Sequence, residues 1–228
     1  MKKLLVDKNI STYSVQFLKS LGFTLIFTTK LFSIDNSTST HPDMQFVKIG
    51  RKKAIVALQS LDYYKKNLPD YDFLSFDDIK SPYPNDTLLN FVLLNNISIC
   101  TEYQFDRIDL LKNYKCLYVK QGYTKCNICI SNDNAILTSD LGIIKSLKNS
   151  GIEAFYLPDS QIKLDGYKNG FWGGATGLID KNKLFFNGNI ENLDCYNQLL
   201  SVLEQLKIEP LYHTKTELYD VGSIILLD

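Results

Sequence analysis

The chain has 228 residues, 45% of them hydrophobic, which is enough to bury a large core in a compact fold. Lysine and arginine together number 25, as do aspartate and glutamate, so nothing in the charge favours nucleic acid or an anionic membrane surface as a partner. No apolar run approaches the ~20 residues that span a bilayer, and the first one ends at Asp7, too early for a signal peptide. We expect a cytoplasmic protein with a single domain, residues 1–228.

A short pattern recurs five times along the chain: an apolar strand, a polar cap, an amphipathic helix and a second strand. The last apolar residues of the first strand in each copy are Val6, Val56, Cys100, Leu137 and Phe186. They are separated by 50, 44, 37 and 49 residues, and the interval across the joined chain ends falls in the same range. Periods of this length are typical of repeat architectures.

Four copies are preceded by a polar turn of the kind that suits hairpins and by a further predicted strand. These strands are Met44–Ile49, Thr87–Leu93, Asn127–Ser131 and Gly177–Ile179. The first copy has no room for one, and we predict the missing strand at the other end of the chain, over Ser223–Leu227. Its pairing with Leu4–Asp7 would leave no unit with a bare edge. The predicted fold class is α/β: a five-fold pseudosymmetric α/β propeller of ββαβ-type units, closed by its terminal strands.

Five cysteines in an odd, scattered set are typical of reduced intracellular thiols. Cys126 and Cys129 have C-x-x-C spacing, but they fall on a predicted strand and so face opposite sides of the sheet. We therefore expect ordinary packing for this pair, and we expect no metal and no cofactor. Of the two histidines, His213 is predicted to lie on the surface.

In a ring of this kind, the starts of the five inner strands converge on the axis. The segments at these starts are polar and contain glycine or proline: 41–44, 83–86, 120–126, 172–176 and 220–223. Two further segments, Leu31–Thr40 and Leu157–Phe171, break the periodicity, and long loops often border sites. One interpretation is that the strand starts only turn the chain. The other is that they form a small polar pocket at one end of the pore.

Two residues at these starts are candidates for catalysis. His41 would titrate near neutral pH and could act as an acid or base. Cys126 follows Lys120 and Lys125, whose charge would favour a thiolate nucleophile. Asp43, Asp86 and Asp220 form a cation-binding ring in one interpretation and cap turns in the other. The predicted ligand-binding residues are Asp43, Asp86, Tyr123, Lys125, Gly173, Gly174, Asp220 and Ser223.

Five hairpin–helix–strand units joined through the terminal strands resemble the penteins, the guanidino-group modifying enzymes and their non-enzymatic relatives. This resemblance covers the whole chain. The runs HPDM, VKQGYTKC, NAILTSDLGI, LDGYKNGFWGG and DVGSIILL are similar to an uncharacterised bacterial family within that superfamily.

The resemblance implies a nucleophilic cysteine in the terminal strand and a histidine at the start of the fourth inner strand. Here those places hold Gly222-Ser223-Ile224 and Phe171-Trp172-Gly173, so both residues are missing from the expected nucleophile-plus-base pair. One feature carries over: Pro42-Asp43 is similar to the stretch that helps to hold the guanidinium substrate in one hydrolase branch. Whether the chain is an enzyme stays open at this point.

Three functions are compatible with these patterns. The first is binding of a small polar ligand (guanidine, amidine or amino-acid-like) in the axial pocket. The second is a non-catalytic interaction protein that binds ribosomes or another protein. The third is a homodimer that shares binding between subunits. We favour the first, because convergent polar residues and glycine-rich strand starts exceed what a scaffold needs.

Overall fold

A computed structural model describes residues 2–76 and 79–227. Within these residues, fifteen β-strands form five three-stranded sheets. The strands are β1 (Lys3–Val6), β2 (Thr24–Phe27), β3 (Phe46–Gly50), β4 (Lys53–Ala57), β5 (Asp72–Phe76), β6 (Val92–Leu94), β7 (Ile97–Cys100), β8 (Lys115–Tyr118), β9 (Cys129–Asn132), β10 (Ala135–Thr138), β11 (Glu153–Tyr156), β12 (Thr176–Asp180), β13 (Lys183–Phe186), β14 (Glu209–Leu211) and β15 (Ile225–Leu226). The helices are α1 (Thr12–Ser20), α2 (Pro42–Gln45), α3 (Leu61–Asn67), α4 (Glu102–Arg107), α5 (Thr124–Asn127), α6 (Leu141–Leu147) and α7 (Tyr196–Gln205), with short 3-10 turns at Leu58–Ser60, Asn85–Thr87 and Asp109–Asn113.

All five sheets share one topology. The middle strand pairs antiparallel with one neighbour and parallel with the strand that follows the helix. A parallel pair needs a crossover connection, and the helical segment of each copy supplies it. The five predicted repeats are therefore confirmed, with each marker residue at or near the end of a middle strand.

The two ends of the chain meet in the first sheet, whose order is β15-β1-β2. Leu4 pairs with Leu226 and Leu5 pairs with Ile225, in antiparallel register. The Tyr71 hydroxyl also donates to the carbonyl oxygen of Leu227 at 2.7 Å. The predicted contact between the chain ends is present, although β15 is shorter than the predicted Ser223–Leu227.

Strand β1 is buried on both faces because its side chains alternate between two hydrophobic clusters. Leu4 belongs to one cluster with Phe185 of the fifth sheet. Leu5 belongs to another with Phe46 of the second sheet and Leu227. The sheet that contains β1 is thus packed between the sheet that contains β13 and the sheet that contains β3.

Three of the predicted inner strands begin later than expected, because single helical turns precede them. Pro42 occupies the first turn of α2, where its fixed φ suits a helix. The Thr87 hydroxyl donates to the carbonyl of Pro84 at 2.8 Å, and such local bonds compete with extended structure. Cys126 consequently lies in α5 and Cys129 in β9, so the prediction of one strand for the C-x-x-C pair is wrong.

The described residues contain neither a metal-binding cluster nor a membrane-spanning helix. No group of three or more histidine, cysteine or acidic side chains there could hold a metal ion. Over the same residues, no helix combines the length and apolar character needed to cross a bilayer.

The terminal pairing gives a first prediction. Leu227 is fully buried, whereas its neighbour Leu226 is only half-buried. Leu227→Ala should lower the free energy of unfolding by roughly 2–5 kcal/mol, because it leaves a cavity between sheets. Leu226→Ala serves as the matched control and should cost about 1 kcal/mol. Urea unfolding measures both, and equal losses would contradict the packing described for residue 227.

Candidate functional site

A cavity of about 730 Å³ opens where five loops meet. These loops follow β1, precede α2, precede β12, follow β13 and precede β15. The two aperiodic segments found in the sequence both contribute to its wall. The lining residues are Asp7, Asn9, Ser11, Asn36, Ser37, Thr40, His41, Leu164, Asp165, Asn187, Thr216, Glu217, Tyr219, Asp220 and Val221.

The charges on this wall have one sign. Four of the lining side chains are carboxylic acids, and none of the lining residues is lysine or arginine. Asp7 and Asp220 are each only 2% exposed and form the inner end with His41, which is 3% exposed. Asp165 and Glu217 are exposed and lie toward solvent. The wall therefore favours a cation.

His41 stands between the two buried acids. Its Nε2 atom is 4.0 Å from Asp7 Oδ2, and its Nδ1 atom is 3.9 Å from Asp220 Oδ1. Both separations are too long for hydrogen bonds, and Nδ1 has no hydrogen-bond partner within the described structure. A buried polar atom without a partner calls for an explanation, and a ligand that reaches the inner end would supply one.

Asp220 is held by the backbone on both sides. Its Oδ2 accepts a hydrogen bond from the amide of Phe171 at 2.8 Å, and its Oδ1 accepts one from Gly222 at 2.9 Å. Burial raises the pKa of Asp220 to about 6; His41 lowers this pKa and Asp43 raises it. Above this pH the side chain is an ionised carboxylate in a buried site.

Asp7 is the second buried acid. The Thr40 hydroxyl lies 2.9 Å from each of its carboxylate oxygens, so its single proton is shared between them. Burial also raises the pKa of Asp7, although His41 opposes that shift. The sequence did not single out this residue, because it ends a strand and looked only like the close of an apolar run.

The predicted glycines explain how these groups come so close. A Cβ atom at Gly174 would lie 2.0 Å from Asp220 Oδ1, and one at Gly173 would lie 2.2 Å from the carbonyl oxygen of Lys125. Only glycine leaves space there for the carboxylate and the neighbouring backbone. Their role in the structure is to permit close approach.

Three other predicted residues form a chain of hydrogen bonds. Lys125 Nζ donates to Ser223 Oγ at 2.9 Å. Ser223 Oγ in turn lies 2.9 Å from Asp43 Oδ2 and 2.8 Å from the carbonyl oxygen of Gly173, and its one proton serves these acceptors. Ser223 has a φ of 76°, a left-handed conformation that costs a non-glycine residue energy. None of the three is among the described residues that line the cavity.

Cys126 lies deeper than a reactive thiol would. Asn90 Nδ2 donates to its sulfur at 3.1 Å, and Asn90 Oδ1 accepts from the amides of Lys125 and Cys126 at 2.8 and 3.1 Å. Burial raises the pKa of Cys126 well above its usual value, and Asp43 and Asp220 raise it further. The expected lowering by nearby lysines is therefore wrong, since burial and the carboxylates dominate. Asn90, which organises this region, gave no signal in the sequence.

Asp86 and Tyr123 pair with each other, away from the cavity. The Tyr123 hydroxyl donates to Asp86 Oδ2 at 2.8 Å. Burial raises the pKa of Tyr123, and the bond to Asp86 adds to that effect. Neither residue is part of the cavity wall described above.

His213 is buried, so its predicted surface position is wrong. Its Nε2 atom lies 2.8 Å from Ser14 Oγ, and the Ser14 hydroxyl donates to Asn187 Oδ1 at 2.6 Å. The strand ending at Leu211 leads the histidine under α1, where burial lowers its pKa. Because Asn187 also lines the cavity, this trio supports one side of the wall.

Residues 5–225 match a family of unknown function (DUF6873), and the chain belongs to that family. No curated protein matches it in sequence.

Among solved structures, the chain is similar to SxtG, an amidinotransferase from Microseira wollei in the saxitoxin biosynthetic pathway. The two share 8% identity with a TM-score of 0.60, over 94% of this chain and 88% of that one. It is also similar to the inosamine-phosphate amidinotransferase from Streptomyces griseus, at 14% identity and a TM-score of 0.58, over 92% of this chain and 75% of that one. A third similar structure is a mutant of DDAH from Pseudomonas aeruginosa complexed with citrulline. It shares 9% identity with a TM-score of 0.57, over 93% of this chain and 92% of that one. The fold is that of the pentein superfamily, as the sequence resemblance indicated.

The strained serine gives a second prediction. Ser223→Ala should lower the free energy of unfolding by about 1–3 kcal/mol, because buried Asp43 loses its hydroxyl partner. Ser223→Gly removes the same hydroxyl but relieves the left-handed backbone, so it should be about 1 kcal/mol more stable than the alanine variant. Chemical denaturation measures the free energy of unfolding of the two variants side by side. An alanine variant as stable as the glycine variant would mean that the backbone is unstrained.

Proposed function

We propose that this protein binds a small cation with several N–H groups, a guanidine or an amidine, in the cavity beside His41. The observation that carries the proposal is the inner end of the cavity, where Asp7 and Asp220 lie on either side of His41, whose Nδ1 atom has no hydrogen-bond partner among the described residues. All three groups accept hydrogen bonds when the acids are ionised and the histidine is neutral. A planar cation with N–H donors on several sides complements such a set.

Size and relationship support the same ligand class. A volume of about 730 Å³ lies within the range of small-molecule sites. Two of the similar structures are amidinotransferases, and a third holds citrulline.

We further propose that the five sheets form a closed pseudo-fivefold propeller, as the pairing of the chain ends suggests. The cavity would then lie at one end of its axis.

We propose binding rather than ordinary guanidine hydrolysis. The buried Cys126 thiol has a raised pKa and does not line the cavity, so it is poorly placed to attack a ligand there. His41 is the described side chain best placed to accept or donate a proton at the inner end.

Thermal stability in the presence of millimolar methylguanidine or acetamidine tests the proposal, because ligands of the native state raise apparent stability. Asp7→Asn keeps an acceptor for Thr40 but removes a negative charge, and it should weaken binding by roughly tenfold or more. Asp70→Asn is the matched control. Asp70 is exposed, pairs with Lys52 and does not line the cavity, so its substitution should leave the affinity for the ligand unchanged. Tetramethylammonium, which lacks N–H groups, should not stabilise the protein. No shift with any N–H cation would refute the proposal and favour a non-catalytic interaction protein.

Affinity should also depend on pH. Because burial raises the pKa of Asp220 to about 6, its carboxylate is charged above this pH and takes up a proton below it. The raised pKa of Asp7 acts in the same direction. The affinity for methylguanidine should therefore be constant near pH 8 and fall by up to about tenfold per pH unit below pH 6. Calorimetry from pH 5 to 8 measures this, and equal affinities at both ends would count against ionised acids as the binding groups.

A further inference from the structure

We infer that Cys100 and Cys116 are a site of reversible oxidation, where the two thiols join as a disulfide when they meet oxidised glutathione. Neither residue lines the cavity beside His41, so the inference is independent of the proposed function. The two cysteines are 16 positions apart, and their spacing in the sequence gave no reason to pair them. Among the described residues they are the one pair of cysteines whose sulfur atoms lie within hydrogen-bonding distance.

The two thiols lie on neighbouring parallel strands, β7 and β8, with their sulfur atoms 3.2 Å apart. In the register of these strands Cys100 is opposite Tyr118. Cys116 is opposite Ser98, so the two cysteines are offset by two positions. An offset of two keeps both side chains on one face of the sheet, where they pack against the same hydrophobic cluster. Bond formation needs an S–S distance of about 2.0 Å, so the sulfur atoms must approach each other by roughly 1.2 Å.

The two cysteines differ in their access to solvent. Strand β8 is at the edge of its three-stranded sheet, and Cys116 is half-buried there. Cys100 is fully buried at the end of the middle strand β7. Burial raises the pKa of the Cys100 thiol, and the neighbouring Cys116 raises it further. Cys116 is therefore the thiol that meets an oxidant first, and Cys100 is the thiol that reacts second.

Helix α4 begins next to this pair. Thr101, which follows Cys100, caps the helix and exchanges hydrogen bonds with Gln104. The buried amide of Gln104 also donates to three loop carbonyls, those of Thr87, Asn90 and Gly122. A bond between the two cysteines closes a loop that contains α4 and the 3-10 turn at Asp109–Asn113. Oxidation would therefore constrain the helix that holds these loops together.

The reaction with oxidised glutathione has two exchange steps. The Cys116 thiol loses its proton, and the thiolate attacks one sulfur of the glutathione disulfide, whose S–S bond breaks as the first glutathione leaves and takes up a proton. Cys100 then loses its proton, attacks the Cys116 sulfur of the mixed disulfide and expels the second glutathione, which is protonated in turn. Two protein thiols are oxidised to one disulfide, and one glutathione disulfide is reduced to two thiols. The raised pKa of Cys100 slows the second step, and the contact between the two sulfur atoms compensates because that step is intramolecular.

The test treats the reduced, folded protein with oxidised glutathione at pH 8 and follows its mass without a reductant. We expect the mass to fall by two hydrogen atoms, and peptide mapping should recover residues 100 and 116 in one disulfide-linked pair of peptides. Dithiothreitol should restore the starting mass, because the half-exposed Cys116 leaves the bond open to thiol exchange. In unfolding concentrations of urea the same treatment should give mixed pairings and glutathione adducts, since the fold is what brings these two sulfur atoms together.

Three variants assign the steps. Cys100→Ala should stop after the first step and keep one glutathionyl group on Cys116. Cys116→Ser should react at least about tenfold more slowly than the wild type, because the remaining thiols are buried. Cys195→Ser is the matched control: it removes a buried thiol from a different hydrophobic cluster and should form the disulfide at the wild-type rate.

Two kinds of result would overturn the inference. Stable glutathionylation of Cys116 in the wild type without a cross-link would show that Cys100 does not attack the mixed disulfide. An unmodified Cys116, or a disulfide between another pair of cysteines in the folded protein, would show that the contact between these two thiols does not direct their oxidation.

Discussion

The antiparallel pairing of residues 225–226 with residues 4–5 is the contact on which the candidate site depends. It brings the loop that carries Asp220 to the end of β1, where Asp7 lies. His41 then fits between the two acids, and Asp43 reaches Ser223 across a sequence separation of 180 residues. Without the terminal pair, the two acids would belong to opposite ends of an open chain, and the cavity would lack one wall.

The site is costly to the folded state. Burial disfavours the charged form of Asp220 and raises its pKa from 3.8 to about 6, so the native protein loses stability as the pH rises between these values. Asp43 Oδ1 and His41 Nδ1 are buried without hydrogen-bond partners among the described residues. Such features persist where the surrounding structure enforces them, and they are common at functional sites. A bound cation would offset part of the penalty by pairing with the carboxylates.

Much of the fold could be predicted from the chain alone, and less of the site. Val6, Val56, Cys100, Leu137 and Phe186 marked five middle strands because burial on both faces leaves a continuous apolar run. Asp43, Lys125 and Ser223 were predicted together and lie together. Asp220 was predicted and lines the cavity, whereas Asp86 and Tyr123 were predicted and lie elsewhere. Those assignments assumed that every strand start points toward one axis, and the helical turns at 85–87 and 124–127 break that assumption.

The sequence by itself determined the repeat, the order of strands and main helices within it and the meeting of the chain ends, because apolar periodicity and turn chemistry are local properties. Only the tertiary structure decided which polar groups face the cavity. Five loops build its wall, and they follow no period. The helical turns rotate successive side chains by about 100° instead of the 180° of a strand, so the direction of each group depends on a backbone path that the pattern does not encode.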